Sequence, residues 1–535
     1  MGRWTGSIPD ATALGALRVA TVDRRTMTGT WFPMGLGRAA ALLYLAGGTA
    51  LAGALASAIA ASVYYATIDA PVVPGGIVAT FAAGLAVIAG IVAVGAVRWL
   101  ARGSPTAALA LAAATFVVVR MAVVIGLDGI LVSDWQAYNR LAMGWLQGAP
   151  PIANWPMGYP AVLGEAYRLL GATPAVAEGL NLLLSGLGVA LLAAWVHVLA
   201  GRAAAATAVV VMAVAPSQAL FTLLVGTETF YVTALLAVVL LLTLTLISIR
   251  DGKSALRVVG LAVATGIALG ASIWIRPTGL VIAPFIALLP LLVVRTRVGV
   301  SAMVAIALAF AVMLVPIAAL NRLHVERWSP STSMFAGWQL YVGFNVETMG
   351  RWNDADRHRV NRQVPGFRDF QLVHEYARGT FERETLQRAV ERDDAALRLA
   401  FERIREDGLR LALILPFKYV LAWGPADAPV RYVQDLPLDG RAATMAAQSW
   451  WMVALAGAVW WFLRRGRDDP LAGLIVSTVI VPVALSLLLL QVQSRYHEYV
   501  VPLVAGLAAM SMRDPERIPG AHPVSAGPSP PTDPS

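Results

Sequence analysis

Long apolar runs alternate with short polar turns along most of the chain. Stretches such as Ala39 to Tyr64 and Thr229 to Ser248 carry no charged side chain, and at about 20 residues or more each is long enough to cross a hydrocarbon core about 30 Å thick. Such segments must be helical, because lipid offers no partner to backbone N–H and C=O groups. Runs of this kind predict spans near residues 38 to 63, 73 to 97, 108 to 131, 176 to 200, 204 to 221, 228 to 249, 256 to 274, 279 to 295, 298 to 320, 447 to 463, 470 to 491 and 496 to 512. The fold class that follows is an all-α polytopic membrane protein of about 12 transmembrane helices, with extracytoplasmic loops.

The short turns sort by charge. Arg98 and Arg102, Arg202, Arg250 with Lys253 and Arg257, Arg295 with Arg297, and Arg464 with Arg465 and Arg467 all fall on one side, which the positive-inside rule identifies as the cytoplasm. An even number of spans then leaves both termini inside. The expected organisation is a cytoplasmic segment over 1–37, helices over 38–320 enclosing a first outer loop at 132–175, an outer region over 321–446, further helices over 447–512, and a tail over 513–535. That tail is rich in Pro, Ser and Gly and is expected to be disordered.

In the outer region Leu386, Val390, Leu397, Phe401 and Ile404 recur at helical spacing among charged residues, predicting an amphipathic helix that ends at Gly408. The apolar stretch Leu409 to Trp423 is short and contains Pro416 and Lys418. A crossing there would put the Arg464 cluster outside, so a re-entrant or interfacial segment is expected.

Composition agrees with a lipid environment: hydrophobic residues make up 58% of the chain and charged residues 14%. The formal charge of +9 is scattered through inter-helix turns rather than gathered on one face, which argues against a nucleic-acid partner. Cysteine is absent, so thiolate metal ligands, disulfides and cysteine nucleophiles are excluded. Residues 1–37 lack a continuous apolar core and do not read as a cleavable signal peptide. The bias towards alanine and arginine, with lysine scarce, suggests a GC-rich bacterial genome and hence the plasma membrane.

Ionisable residues at membrane depth are the candidates for chemistry. Asp134 opens the first outer loop within Ser133-Asp134-Trp135-Gln136-Ala137-Tyr138, and on a helix it shares a face with Tyr138. The alternative for this segment is a helix cap beside an aromatic belt. Trp155 and Tyr159 lie in a Pro- and Gly-containing turn, where they could stack on a sugar or anchor at the headgroups; taken alone, the anchor reading is favoured. Glu228 begins a long apolar helix, where a carboxylate serves equally as a cap or as a site wall. Arg276 sits in a very short outer turn against the topological bias. Lys418, one of only two lysines, could snorkel to the headgroups. Arg495, Tyr496, His497 and Glu498 form a compact cation, imidazole and carboxylate set at an outer helix end. Arg276, Lys418 and Arg495 could converge on a phosphate, which implies an anionic lipid as ligand.

In order along the chain, these residues resemble the GT-C superfamily of membrane glycosyltransferases, in the branch similar to protein O-mannosyltransferases and the aminoarabinose transferase of lipid A. The resemblance rests on Asp134 to Tyr138, Pro156-Met157-Gly158-Tyr159-Pro160, Thr227-Glu228, Arg276-Pro277-Thr278-Gly279, the segment leading to Lys418, and Arg495-Tyr496-His497. Two features depart from the family pattern: two additional helices precede the acid, and Met157 is inserted in the turn. The resemblance implies a polyprenyl-phosphate-linked sugar as donor and an acceptor hydroxyl on a glycan, glycolipid or protein. It further implies Asp134 as general base with inversion, and Arg276, Lys418, Arg495 and His497 around the donor phosphate. Tyr138, Trp155, Tyr159, Glu228 and Tyr496 would then line the sugar and acceptor pocket. No metal site is evident, although a divalent cation is compatible with the chemistry. The competing classes are a secondary transporter, which predicts internal repeats and midplane polar residues, and a non-catalytic membrane scaffold.

Overall fold

The computed structural model describes residues 37–512 apart from 68–73, 150, 152–154, 295, 369, 381, 427, 435–439, 465 and 467–469. The expected tail and all but the last residue of the expected N-terminal segment lie outside these residues. Three helices come first, α1 (Arg38–Thr67), α2 (Pro74–Gly103) and α3 (Pro105–Gly126). The loop expected outside, 132–175, folds as α4 (Ser133–Leu146) and α5 (Gly158–Leu170). Next are α6 (Pro174–Ala200), α7 (Arg202–Ala213), α8 (Pro216–Leu220), α9 (Glu228–Arg250), α10 (Ala255–Ile275), α11 (Gly279–Val293) and α12 (Arg297–Val325). The region after α12 contains α13 (Ala336–Gly343), α14 (Asp354–Asn361), α15 (Gln371–Ala377) and α16 (Arg383–Trp423). The chain closes with α17 (Gly440–Arg464), α18 (Leu471–Leu489) and α19 (Val501–Ser511).

Among the described residues, seven helices are long and apolar enough to cross a membrane: α1, α3, α6, α9, α10, α12 and α18. The stretch expected to span at 204–221 is broken, with α7 and α8 bent by 68°. Pro216 has no N–H to give and forces Ala215 into an extended conformation (φ −73°, ψ 107°), so the helix cannot run through. The carbonyls released at the break are taken up by side chains: Arg120 donates to the Met212 carbonyl at 3.1 Å and the Trp450 indole to the Val211 carbonyl at 3.1 Å. Helices α11 and α19 are apolar but shorter. The polytopic helical architecture stands, with seven helices that meet both criteria, or eight if the bent pair is one span.

Small residues set the close crossings, as expected where lipid gives no hydrophobic drive between helices. Gly266 and Gly270 of α10 face α12, where an added Cβ would lie 2.4 Å from the Ile306 carbonyl oxygen and 2.3 Å from Met313 Cβ. Helix α1 packs against α18 and α17, α6 against α9 and α7, and α17 against α19 and α2.

The amphipathic helix does not end at Gly408. Only Asp407 departs from helical geometry (φ −117°, ψ 18°), a kink inside α16. Leu409 to Trp423 continues as helix because it packs on α1 and α18. The Tyr419 hydroxyl reaches the Ala50 carbonyl at 2.6 Å, and the Trp451 indole the Trp423 carbonyl at 2.9 Å. A glycine is a local stop signal, and tertiary contacts outweigh it here.

Helix α14 is held to α16 through Asp356, which is buried and accepts from the amides of Asn345 and Asn353, each at 2.7 Å, and from the Arg403 guanidinium. Burial works to raise the Asp356 pKa, but Arg403 and the two amides outweigh it and hold it below the ordinary carboxylate value. A depressed pKa contributes stability that is present above the ordinary value and is lost as pH falls through the folded one. Melting temperature measured against pH should therefore drop on acidification below about pH 4 in the wild type, and Asp356→Asn should flatten that part of the curve. Identical acid profiles for the two proteins would disprove this role.

Candidate active site

Four charged side chains from four separate elements meet at helix ends. Strand β1 (Asp128–Gly129) pairs antiparallel with β2 (Val433–Gln434), in register Asp128 with Gln434 and Gly129 with Val433. This ties down the approach to α4, where Ser133 turns the chain with φ 51°. Asp134 then stands in the first turn of α4, where a carboxylate is favoured by the helix dipole. Glu228 likewise stands in the first turn of α9. Arg276 caps α10 in an extended conformation (φ −154°, ψ 135°) imposed in part by Pro277. Arg495 comes from the 3-10 turn Ser494–Tyr499 between α18 and α19.

The Arg276 guanidinium donates to Glu228 Oε1 at 2.9 Å. Arg495 lies 3.9 Å from that same oxygen and forms a short ion pair with Asp134. Two cations and two anions thus form one chain, Asp134 to Arg495 to Glu228 to Arg276. It is largely buried: the Glu228 side chain is 3% exposed, Arg276 11% and Arg495 14%, whereas Asp134 is 28% exposed. The most accessible member is the one able to meet a reacting molecule.

Aromatic faces hold the guanidiniums in place. Arg276 lies 4.7 Å from the Tyr499 ring centroid and 5.6 Å from that of Tyr496, and Arg495 lies 5.2 Å from Trp135 and 5.6 Å from Tyr496. Such contacts orient a cation without consuming its N–H donors. Gly226 gives the room: a Cβ there would come within 2.4 Å of both Glu228 Oε2 and the Trp135 ring. Behind Asp134, the buried Tyr138 phenol is pushed up to about 12 by burial, only partly offset by Arg276, so it stays a neutral hydroxyl.

The remaining predicted residues separate by environment. Trp155 packs edge-on to Tyr138 at 5.5 Å and to Phe335 at 5.7 Å. The Tyr159 hydroxyl is committed to Asn181 at 3.0 Å, and Asn181 in turn holds the Thr222 and Leu224 carbonyls just ahead of Glu228. Tyr159 thus braces the site from behind. The Lys418 ammonium donates to the carbonyls of Gly343 at 2.7 Å and Leu488 at 2.6 Å, and among the described contacts it is not joined to the guanidinium pair. Its effect there is indirect: Gly350 beside it accepts from Val492 N–H at 2.8 Å, and the neighbouring Gln493 accepts from Arg495 Nε at 2.6 Å. The His497 ring is stacked between Trp451 and Trp423, its Nδ1 is 2.8 Å from the Ala422 carbonyl, and its Nε2 faces Glu498. Glu498 accepts from Ser217 at 3.0 Å and Gln218 at 2.7 Å. The compact set read from the sequence is therefore two-sided, with Arg495 and Tyr496 facing the ion network and His497 and Glu498 anchoring the turn in the protein.

Tyr231 and Tyr499 escaped the sequence reading. Each follows a charged candidate at helix-like spacing, Tyr231 after Glu228 and Tyr499 after Arg495, a signal visible in the sequence but indistinguishable there from an interfacial aromatic. Among the described residues no group of three or more His, Asp or Glu is placed to hold a metal ion.

Comparison with solved structures matches about three quarters of the chain to three structures of two proteins at low identity. ArnT from Cupriavidus metallidurans bound to undecaprenyl phosphate is 14% identical, with 75% of this chain and 78% of that one covered and a TM-score of 0.39. The archaeal oligosaccharyltransferase AglB from Archaeoglobus fulgidus, in complex with an inhibitory peptide and a dolichol-phosphate, is also 14% identical, covering 75% of this chain and 50% of that one at a TM-score of 0.41. ArnT from Cupriavidus metallidurans in the apo state is 16% identical, covering 74% and 76% at a TM-score of 0.31. No family model and no curated protein matches the chain.

Proposed function

We propose that this chain is a multi-pass membrane glycosyltransferase that moves a sugar from a polyprenyl-phosphate donor to an acceptor hydroxyl, with its chemistry on the extracytoplasmic side. The observation that carries this reading is the ion network, in which Asp134, Glu228, Arg276 and Arg495, far apart in sequence, meet at helix ends. A transporter would instead place such groups near the midplane of spanning helices.

In the proposed reaction the acceptor oxygen attacks the anomeric carbon from the face opposite the phosphate, with inversion. The bond from that carbon to the phosphate oxygen breaks, and polyprenyl phosphate leaves with the electron pair. Asp134 takes the acceptor proton as the new bond forms. Arg495 and Arg276 receive the charge that grows on the departing phosphate, where fixed guanidiniums in a water-poor site act most strongly. Arg495 is paired with Asp134; the donor phosphate competes for that guanidinium and leaves the carboxylate available as a base. Lys418 holds the Gly343 and Leu488 carbonyls near the start of the turn that carries Arg495, and His497 anchors that turn. Tyr138, Trp155 and Tyr496 border the space where sugar and acceptor meet.

The test is transfer by purified protein in nanodiscs, with a panel of polyprenyl-phosphate sugars and a membrane extract as acceptor. Consumption of one donor with release of polyprenyl phosphate is the expected result. A folded protein that neither binds nor consumes any donor in the panel would overturn the proposal and make vesicle transport assays the next step.

A further inference from the structure

Beside the ion network lie buried polar atoms that no hydrogen bond in the protein reaches. Glu228 Oε2, Tyr231 Oη and Tyr499 Oη are all buried without a hydrogen-bond partner. They belong together: the Tyr231 and Tyr499 rings meet edge to face at 5.0 Å, Arg276 covers Tyr499 at 4.7 Å, and Glu228 and Tyr231 are one turn apart on α9. The residues themselves are 3%, 0% and 2% exposed. A buried polar group without its hydrogen bond loses solvation that nothing replaces, so several in one place are a substantial burden for packing alone to justify.

The donor and acceptor inventory narrows what would satisfy them. Two phenols supply O–H donors that also accept, and one carboxylate oxygen accepts only. Burial pushes the Tyr499 pKa well above its ordinary value, with Arg276 only partly opposing this, so the phenol stays neutral and able to donate. A metal cation fits poorly, because the other oxygen of Glu228 already accepts from a guanidinium at 2.9 Å and a second guanidinium stands 3.9 Å away. A neutral hydroxyl fits both kinds of group, since it donates to Glu228 and exchanges hydrogen bonds with the phenols.

We infer that Tyr231, Tyr499 and the free oxygen of Glu228 form the subsite that reads the hydroxyl groups of the donor sugar, next to the guanidiniums that hold its phosphate. This inference rests on the glycosyltransferase reading and deepens it, by assigning donor specificity to two tyrosines the sequence did not single out, alongside Glu228. Arg276 and Arg495 stand beside it, 2.9 Å and 3.9 Å from the other oxygen of Glu228.

The test compares Tyr499→Phe and Tyr231→Phe with wild type on the preferred polyprenyl-phosphate sugar and on its series of monodeoxy analogues. Each variant should lose about tenfold in kcat/KM on the full sugar. The loss should vanish for the one analogue that lacks the hydroxyl matched to the deleted phenol. Melting temperature should stay level or rise, because the variant removes a buried hydroxyl without a partner. A purely structural tyrosine gives a different pattern, in which kcat/KM is unchanged on every donor or falls equally on all analogues together with stability; either overturns the inference. An active wild type with indifferent Phe variants overturns only this assignment, whereas a wild type inert on every donor overturns the glycosyltransferase reading with it.

Discussion

Asp134→Asn is expected to lower transfer by about 10²–10⁴-fold while leaving donor affinity close to wild type, which is the range a positioned carboxylate supplies by taking a proton. The substitution is isosteric, and the amide oxygen can still accept from Arg495, so the network loses a charge but keeps its shape. Asn cannot accept the acceptor proton. The loss should therefore fall on kcat at saturating donor and acceptor, while polyprenyl-phosphate sugar binding, read by thermal shift, persists. A mutant within about threefold of wild-type kcat would exclude Asp134 as the base. Loss of binding without a separate loss of kcat would instead assign Asp134 to holding Arg495.

Arg276→Leu should have the largest effect on stability. It strips the close partner from Glu228, whose side chain is 3% exposed, and removing one member of a buried ion pair typically costs about 3–5 kcal/mol because a charge is left uncompensated. It also removes the cation stacked on Tyr499 and Tyr496. The double variant Arg276→Leu with Glu228→Leu should recover most of that stability, since replacing both partners leaves no orphaned charge. It should not recover transfer, because a guanidinium that receives the leaving phosphate is gone. Equilibrium unfolding in mixed micelles measures the first effect and initial rates the second. If the single variant costs under about 1 kcal/mol, the pair behaves like an exposed one and Arg495 has taken over Glu228.

These two predictions differ in what they owe to the sequence. Asp134, Glu228, Arg276 and Arg495 all stood out there, because an ionisable residue at membrane depth is costly and marks a candidate site even where a cap is the alternative. Their pairing was not legible. Phosphate-directed cations were expected at Arg276, Lys418 and Arg495 alike, and only Arg276 and Arg495 share a network. Lys418 is held by two carbonyls, because a buried ammonium takes whatever acceptors the surrounding backbone presents. His497 is likewise turned into an aromatic stack with Trp451 and Trp423, since successive residues of a tight turn point in different directions.

Much of the architecture was determined by the amino-acid sequence alone. A run of apolar side chains long enough to cross lipid must be helical, and that constraint is local. The helical identity of Ala39 to Tyr64 or Thr229 to Ser248 needs no knowledge of neighbours. Tertiary structure decided where helices fail or continue. The break that Pro216 makes between α7 and α8 is tolerated because Arg120 and Trp450, from other helices, satisfy the carbonyls released there. Gly408 does not stop α16 because α1 and α18 offer its second half a packing surface. The site follows the same division: its charged residues are legible one by one from their depth, whereas the ion network and the unsatisfied tyrosine hydroxyls exist only once α4, α9, α10 and the turn before α19 are brought together. Contacts between residues hundreds of positions apart leave no periodic trace in the chain, so folding alone reveals them.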